Sequence, residues 1–234
     1  MSLTGHAGTA TDTYTLTEHI EHKTRFIQAV ANVAPHSRLF VAGHSVGAYM
    51  ALQILAREET LALPRPIEKC FLLAPTLKHI GRAAPCHLRV LSQPLVRPAA
   101  VAVVGSLVEL IPRVVFQTLL RLFTPRGTPA NVLDAVCDMM SSKRVLNSAL
   151  TLARTEFDDI LDLDESLIVA NKERLVFVYS SHDPWVPQSH FEDMKELLPQ
   201  HPKGSGLDCM FDVPHAFSLV HSDLIADYIS PHFR

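Results

Sequence analysis

Short apolar runs rich in β-branched and aromatic residues alternate along this chain with longer stretches whose apolar positions recur at helical spacing. That alternation is the pattern of a parallel sheet whose strands are joined by crossover helices. Four runs read as strands: Leu39 to Ala42 (LFVA), Cys70 to Ala74 (CFLLA), Leu175 to Ser180 (LVFVYS) and Leu207 to Val213 (LDCMFDV). Each is nearly continuous in apolar character, as expected of strands covered on both faces. Between them, Leu16 to Val33 places Ile20, Ile27 and Val30 on one helical face, and Val46 to Arg57 is apolar almost all round, which requires deep burial. Gln188 to Leu198 presents Phe191, Met194, Leu197 and Leu198 at helix period, and Phe217 to Ile229 presents Phe217, Val220, Leu224, Tyr228 and Ile229. No internal repeat is visible.

The span from Thr76 to Lys172 is different, with no strand signal but several helical stretches: Asn131 to Met140, Ser142 to Phe157 and Asp159 to Asn171. It reads as a helical cap inserted into an α/β core. Residues 1–75 would then form the N-terminal part of the core, residues 76–172 the cap and residues 173–234 the C-terminal part of the core. The first half of the cap, Pro85 to Pro125, is unusually apolar and interrupted by Pro94, Pro98 and Pro112, which predicts two short helices bent into a hairpin. Arg97, Arg113 and Arg121 are spaced through it. Two readings of this stretch compete: a cap packed over an active site to form an acyl pocket, and an interfacial hairpin whose arginines reach phosphate head groups.

With a hydrophobic fraction of 47% and only 19% charged residues, 234 residues fill one large core. The formal net charge of −3 is spread over both signs without a basic run, which sets nucleic-acid binding aside. Cys70, Cys86, Cys137 and Cys209 lie far apart and form no C-x-x-C pair, against both a zinc knuckle and a disulfide framework; buried, reduced thiols of an intracellular protein are expected. Met1 to Tyr14 lacks the charged-then-apolar pattern of a signal peptide. Pro98 to Val108, the longest uncharged apolar stretch, is shorter than the roughly 20 residues one membrane-crossing helix needs.

The chemistry enters at Gly43-His44-Ser45-Val46-Gly47, a G-x-S-x-G sequence between the strand LFVA and the helix VGAYMALQILAR. A bare match would arise in roughly one chain in ten of this length, so the strand before and the helix after carry the weight. The spacing suits a tight turn that strains the serine backbone and projects its hydroxyl above the sheet edge. Gly43 and Gly47 are expected to be glycine because side chains there would collide with the neighbouring strand and helix. The Val46 N–H, at the helix N-terminus, can point at a developing oxyanion.

In such a sheet the partners of Ser45 come later, in the order acid then base, on loops that follow strands. His215 follows the last strand in Val213-Pro214-His215-Ala216-Phe217, and Asp183 follows LVFVYS in His182-Asp183-Pro184-Trp185. Position selects His215 among 13 histidines. His221 falls a turn and a half into the last helix, His44 is the variable residue of the elbow, and His182 shapes the acid loop. Among other carboxylates, Asp158, Asp159, Asp162 and Asp164 read as a solvated run on cap helices, and Asp212 lies within a strand. Asp183 would orient the imidazole of His215 and stabilise its cationic form.

Taken together, Gly5-His6-Ala7-Gly8, Glu21-His22-Lys23 with Phe26, the elbow GHSVGAY, Leu72-Leu73-Ala74-Pro75-Thr76, Asp183-Pro184-Trp185 with Pro187, and Pro214-His215-Ala216-Phe217 resemble the lipid-droplet-associated hydrolase family, a branch of the α/β hydrolases. These pieces span nearly the whole chain in the right order. The elbow is generic to esterases, and the combination is far more specific. The resemblance implies an α/β-hydrolase fold, with nucleophile, acid and base at Ser45, Asp183 and His215. It also implies attachment to lipid droplets or endoplasmic-reticulum membrane through the apolar cap and activity on lipid esters, with sterol esters the usual suggestion. Members of the family carry strands and a Gly/Pro loop ahead of the G-H-A-G segment, and that loop would donate a second oxyanion N–H. Since about 38 residues precede the nucleophile strand here, the expectation is an N-terminally incomplete sheet with LFVA at or near its edge. Losing one oxyanion donor lowers the rate by roughly 10²- to 10³-fold.

The expected reaction is acyl transfer to water, with Ser45 attacking an ester carbonyl and no metal or organic cofactor required. The partners expected are a lipid ester substrate and a lipid droplet or membrane surface. A second reading from another class is a lipid-surface binding or scaffolding protein with an idle triad. A thioesterase or peptidase is a third.

Overall fold

The computed structural model describes residues 13–124, 127–201, 207 and 211–233. They fall into two compact units, which are described separately. The sheet unit comprises Ile20–Ala83, Ile160–His215 and Asp223–Arg234, and the helical unit comprises Ala84–Asp159, Ala216–Ser222 and the described part of Met1–His19.

In the sheet unit three parallel strands pair in the order β1-β2-β3: β1 (Leu39–His44), β2 (Ile67–Leu73) and β3 (Leu175–Val178). Val41 lies opposite Cys70, and Cys70 opposite Leu175. Among the described residues β1 is an edge strand. Phe71, Leu72, Leu175, Val176, Phe177 and Val178 are all buried, which is why these runs carry no polar alternation. The run expected to continue from 175 to 180 breaks at Tyr179. Beyond it, β4 (Ser180–His182) pairs in parallel with β5 (Phe211–Pro214) in a second, two-stranded sheet, and the Phe211 N–H donates to the Tyr179 carbonyl at 3.0 Å. β5 is the end of the strand expected over 207–213; residues 208–210, including Cys209, lie outside the described residues, as does Gly5-His6-Ala7-Gly8.

Helices cover these strands. Helix α1 (Leu16–Val33) buries Ile20, Thr24, Ile27 and Ala31, at spacings of three and four residues. Val30, expected on that face, is exposed; Thr24 sits in the stripe instead, its hydroxyl donating to the Ile20 carbonyl at 2.8 Å. Helix α2 (Val46–Ala56) buries Ala48, Met50, Ala51, Leu52, Ile54 and Leu55. After the one-turn helix α3 (Ile80–Ala83) the chain leaves this unit; it returns through a loop to α9 (Glu165–Ala170). The helix expected over 159–171 therefore begins only at Glu165. Asp164 adopts a non-helical conformation, and its carboxylate accepts from the Leu167 N–H at 3.0 Å and the Ser166 hydroxyl at 2.8 Å, a side-chain N-cap that fixes the start. Helix α10 (Gln188–Leu197) buries Phe191 and Met194. The single helix expected over 217–229 is two pieces, a 3₁₀ turn at Phe217–Leu219 and α11 (Ser222–Ile229). Val220, with φ −141°, interrupts them, so His221 precedes the helix rather than lying inside it.

The helical unit contains α4 (Cys86–Leu91), α5 (Arg97–Leu110), α6 (Arg113–Phe123), α7 (Ala130–Met140) and α8 (Lys143–Asp159). Pro98 stands in the first turn of α5 and Pro112 caps the start of α6, positions where a missing N–H costs no helical hydrogen bond. The result is the expected hairpin. Helix α5 lies against α8, so closely that a side chain at Gly105 would overlap the methylenes of Lys143. Helix α6 is tied to α7 by Arg113, which pairs with Asp138 at 2.5 Å and Asp134 at 3.5 Å, and by Gln117, which donates to Asp134. Two carboxylates of α7 thus hold the guanidinium of Arg113, whose side chain is half exposed. Cys137 is buried, but Cys86 is exposed, against the expectation of buried thiols throughout.

The outer surface of the hairpin is apolar: Val103, Val104, Leu107, Leu110, Val114, Val115, Leu119 and Leu122 are all exposed. Among the described residues no single helix is long and apolar enough to cross a membrane. Arg97–Val108 and Arg113–Leu122 meet that test only as a pair, bent by 112°.

Candidate active site

Ser45 joins β1 to α2 with φ 57° and ψ −126°, a left-handed conformation that costs a side-chain-bearing residue on the order of 1–3 kcal/mol. The surroundings hold it there. Its N–H donates to the Leu73 carbonyl of β2 at 2.9 Å, and its carbonyl accepts from the Ala48 N–H at 2.9 Å. Gly43 is required by contact, since a Cβ at that position would overlap the backbone of Gly47 and Ala48. Gly47 is not glycine for the same reason, contrary to expectation: a Cβ there meets nothing within 4 Å. What Gly47 contributes is the carbonyl that crowds Gly43. Val46 is the first residue of α2, so its N–H belongs to the turn that has no intrahelical acceptor and carries the positive end of the helix dipole.

The three residues chosen from the sequence meet in one hydrogen-bonded line. His215, immediately after β5, has Nε2 at 2.9 Å from Ser45 Oγ and Nδ1 at 2.6 Å from Asp183 Oδ2. A carboxylate only accepts, so the proton on Nδ1 points at Asp183, and Nε2 is left to accept from the serine hydroxyl. Asp183 follows β4, and its side chain is 0% exposed. Its second oxygen accepts the N–H groups of Trp185 at 2.9 Å and Val186 at 3.0 Å, so the loop D-P-W-V folds around its own carboxylate and fixes its direction. The His215 side chain is 16% exposed, and the indole ring of Trp185 lies 6.4 Å from its imidazole. The site can therefore pass a proton from a hydroxyl to an imidazole whose cationic form faces a buried carboxylate.

The rejected candidates lie elsewhere. Asp212 is 86% exposed and pairs with His182 at 2.7 Å, Asp162 is 90% exposed, Asp158 pairs with Arg154 on α8, and Asp164 caps α9. Among the described residues no group of three or more His, Cys, Asp or Glu side chains converges to hold a metal ion.

One residue of the site was passed over in the sequence. His44, the last residue of β1, has Nε2 at 2.8 Å from the carbonyl oxygen of His215, and the two rings lie 5.0 Å apart. Burial holds the His44 imidazole below its ordinary pKa, against the opposing pull of its hydrogen bond to His215. Neutral, it donates from Nε2 to that carbonyl. Nothing in G-x-S-x-G marks the residue before the serine, because its partner lies 171 positions away. Farther along the sheet unit, His190 on α10 is pulled down to about 4 by burial and by the Lys78 ammonium, which itself pairs with Asp193.

Solved structures with the same fold include a candidate lipase from Acinetobacter baumannii, at a TM-score of 0.58 and 18% identity, covering 99% of this chain and 72% of that one. An N-acyl homoserine lactonase complexed with N-butanoyl homoserine aligns at a TM-score of 0.54 and 11% identity, covering 95% and 71%. At such identities the likeness concerns the fold, which is that of the α/β hydrolases. Sequence relatives are closer. The lipid droplet-associated hydrolase of Homo sapiens is 29% identical over 229 residues, and that of Drosophila melanogaster 26% identical over 230. Each alignment covers 94% of this chain; the chain spans 64% of the human protein's length and 71% of the fly protein's. The profile described as lipid-droplet associated hydrolase matches residues 1–218, and with that span the chain belongs to the lipid-droplet associated hydrolase family.

Proposed function

We propose that this chain is a serine hydrolase of lipid carboxylic esters that works at the surface of lipid droplets and of the endoplasmic-reticulum membrane facing the cytosol, with sterol esters among its substrates. The observation that carries the reading is the line Ser45 Oγ, His215 Nε2, His215 Nδ1, Asp183 Oδ2, at 2.9 and 2.6 Å. Ser45 Oγ attacks the ester carbonyl while its proton passes to His215 Nε2, and the buried Asp183 carboxylate stabilises the resulting imidazolium. The tetrahedral oxyanion faces the Val46 N–H. Collapse expels the alcohol, which takes the proton from His215. Water then attacks the acyl-Ser45 ester by the same path in reverse, releasing the acid and restoring the serine.

The lipid part of the reading is supported by the family and by the exposed apolar surface of α5 and α6, which suits a droplet's apolar interior below its head groups. A second reading shares that support: a lipid-surface scaffold with an idle triad. A fluorophosphonate probe separates the two. Covalent labelling of the wild-type chain that disappears in Ser45→Ala is the expected result, whereas folded wild-type protein that stays unlabelled favours the scaffold.

A further inference from the structure

We infer that His44 is a positioning residue of the catalytic apparatus: its Nε2–H holds the backbone of His215 and so sets the height of the base above Ser45. The inference rests on the hydrolase reading above. Among the described residues three hydrogen bonds hold residue 215. The ring is held at Nδ1 by Asp183 and at Nε2 by Ser45, and the main chain is held at the carbonyl by His44 at 2.8 Å. The first two orient the imidazole, but neither restrains the loop that carries it. That loop leaves β5 at Pro214, and β4 and β5 are strands of only three and four residues, a short anchor for the side chain that must meet the serine. His44 adds a restraint on that loop from the most useful place, because it is covalently joined to Ser45. Any movement of the elbow carries His44 with it, and the hydrogen bond carries residue 215 along.

The chemistry of the pair suits this role. A backbone carbonyl accepts without titrating, so the bond persists whether His215 is neutral or protonated during turnover. Burial favours the neutral form of His44, so a second cation does not form beside the imidazolium of His215. An alternative donor of similar reach, the side-chain amide of glutamine, would preserve the bond. An apolar side chain of similar length, methionine, would fill the space and remove the donor.

The test therefore compares His44→Gln with His44→Met in the full chain, using hydrolysis of a soluble short-chain p-nitrophenyl ester and the proton NMR resonance of the His215 Nδ1–H. The expected result is a fall in kcat of about 10- to 100-fold in His44→Met with KM changed less than about threefold, since misplacing a catalytic group by about 1 Å costs up to about 10²-fold. His44→Gln is expected to stay within about threefold of wild type. The low-field Nδ1 proton should broaden or shift in His44→Met and return to its wild-type position in His44→Gln. Equal kcat and an unmoved resonance in a folded His44→Met protein would overturn the inference, as would Gln and Met variants equally impaired. The NMR readout needs no turnover. A wild-type chain without esterase activity whose resonance still moves in His44→Met and recovers in His44→Gln would refute the hydrolase reading and leave the positioning role standing.

Discussion

Helix α2 and the α5–α6 hairpin are both strongly apolar, yet they meet opposite fates. Between Val46 and Ala56 there is no charged residue, and six of those residues are buried under the nucleophile elbow. The hairpin leaves eight large apolar side chains exposed, from Val103 to Leu122. A core helix is apolar because it lies inside the protein; the hairpin packs on α7 and α8 and leaves its remaining apolar face exposed. Composition does not distinguish the two. Neighbouring chemistry does: α2 begins at a strained serine, whereas α6 carries Arg113 clamped by Asp134 and Asp138.

The largest effect that would break the comparison lies at the foot of α2. Gly43→Ala must push the backbone of Gly47 and Ala48 away, so esterase activity on a soluble ester is expected to fall by at least about 10²-fold. An unchanged rate would show that the close approach of residue 43 to Gly47 and Ala48 does not hold the elbow in place. Next comes stability. Leu52→Ala, at a residue 2% exposed, should cost about 2–5 kcal/mol in urea denaturation. By contrast, Leu107→Asp, Leu110→Asp and Val114→Asp, at residues 57%, 79% and 73% exposed, should each stay within about 0.5 kcal/mol of wild type. Together the three are expected to abolish co-flotation with phospholipid-coated triolein droplets. Retained flotation would mean that the exposed face has another purpose.

The elbow, with its strand and helix, was legible because one local signal carried it: an apolar run, a Gly-Ser-Gly turn and an apolar helix in sequence. Asp183 and His215 were legible by chain order, each on the loop after a strand. What escaped depends on distant partners. The break at Tyr179 reflects a change of pairing partner, from β2 to β5, that no pattern within LVFVYS encodes. The first turn of α9 was misplaced although Asp164 followed by Glu165 is an N-cap signal; the flanking acidic run masked it. Val30 and Ala31 are neighbours, and only the packing decides which of them turns inward.

Smaller effects sharpen the contrast between the units. His190, in the sheet unit, titrates near 6.5 when free and about 4 when folded. The unfolded chain therefore binds the proton first as pH falls, so the stability due to neutral His190 is complete above 6.5 and lost as pH falls toward about 4. His190→Gln should flatten the pH dependence of the urea midpoint across that window, while the hairpin aspartate variants leave its shape unchanged. The cysteines give the mildest probe. Burial pushes the Cys70 thiol up to about 12, so in the native protein it should resist a thiol reagent that modifies the exposed Cys86. Rapid native-state modification of Cys70 would show that the sheet opens readily.

The second-order rate constant for phosphonylation of Ser45, followed by mass spectrometry of the peptide that contains it, bears most directly on the claim that His215 activates this hydroxyl. A fall of about 10²- to 10⁴-fold in His215→Ala is the outcome predicted. Equal rates in the two proteins, or an adduct on a different residue, would contradict it.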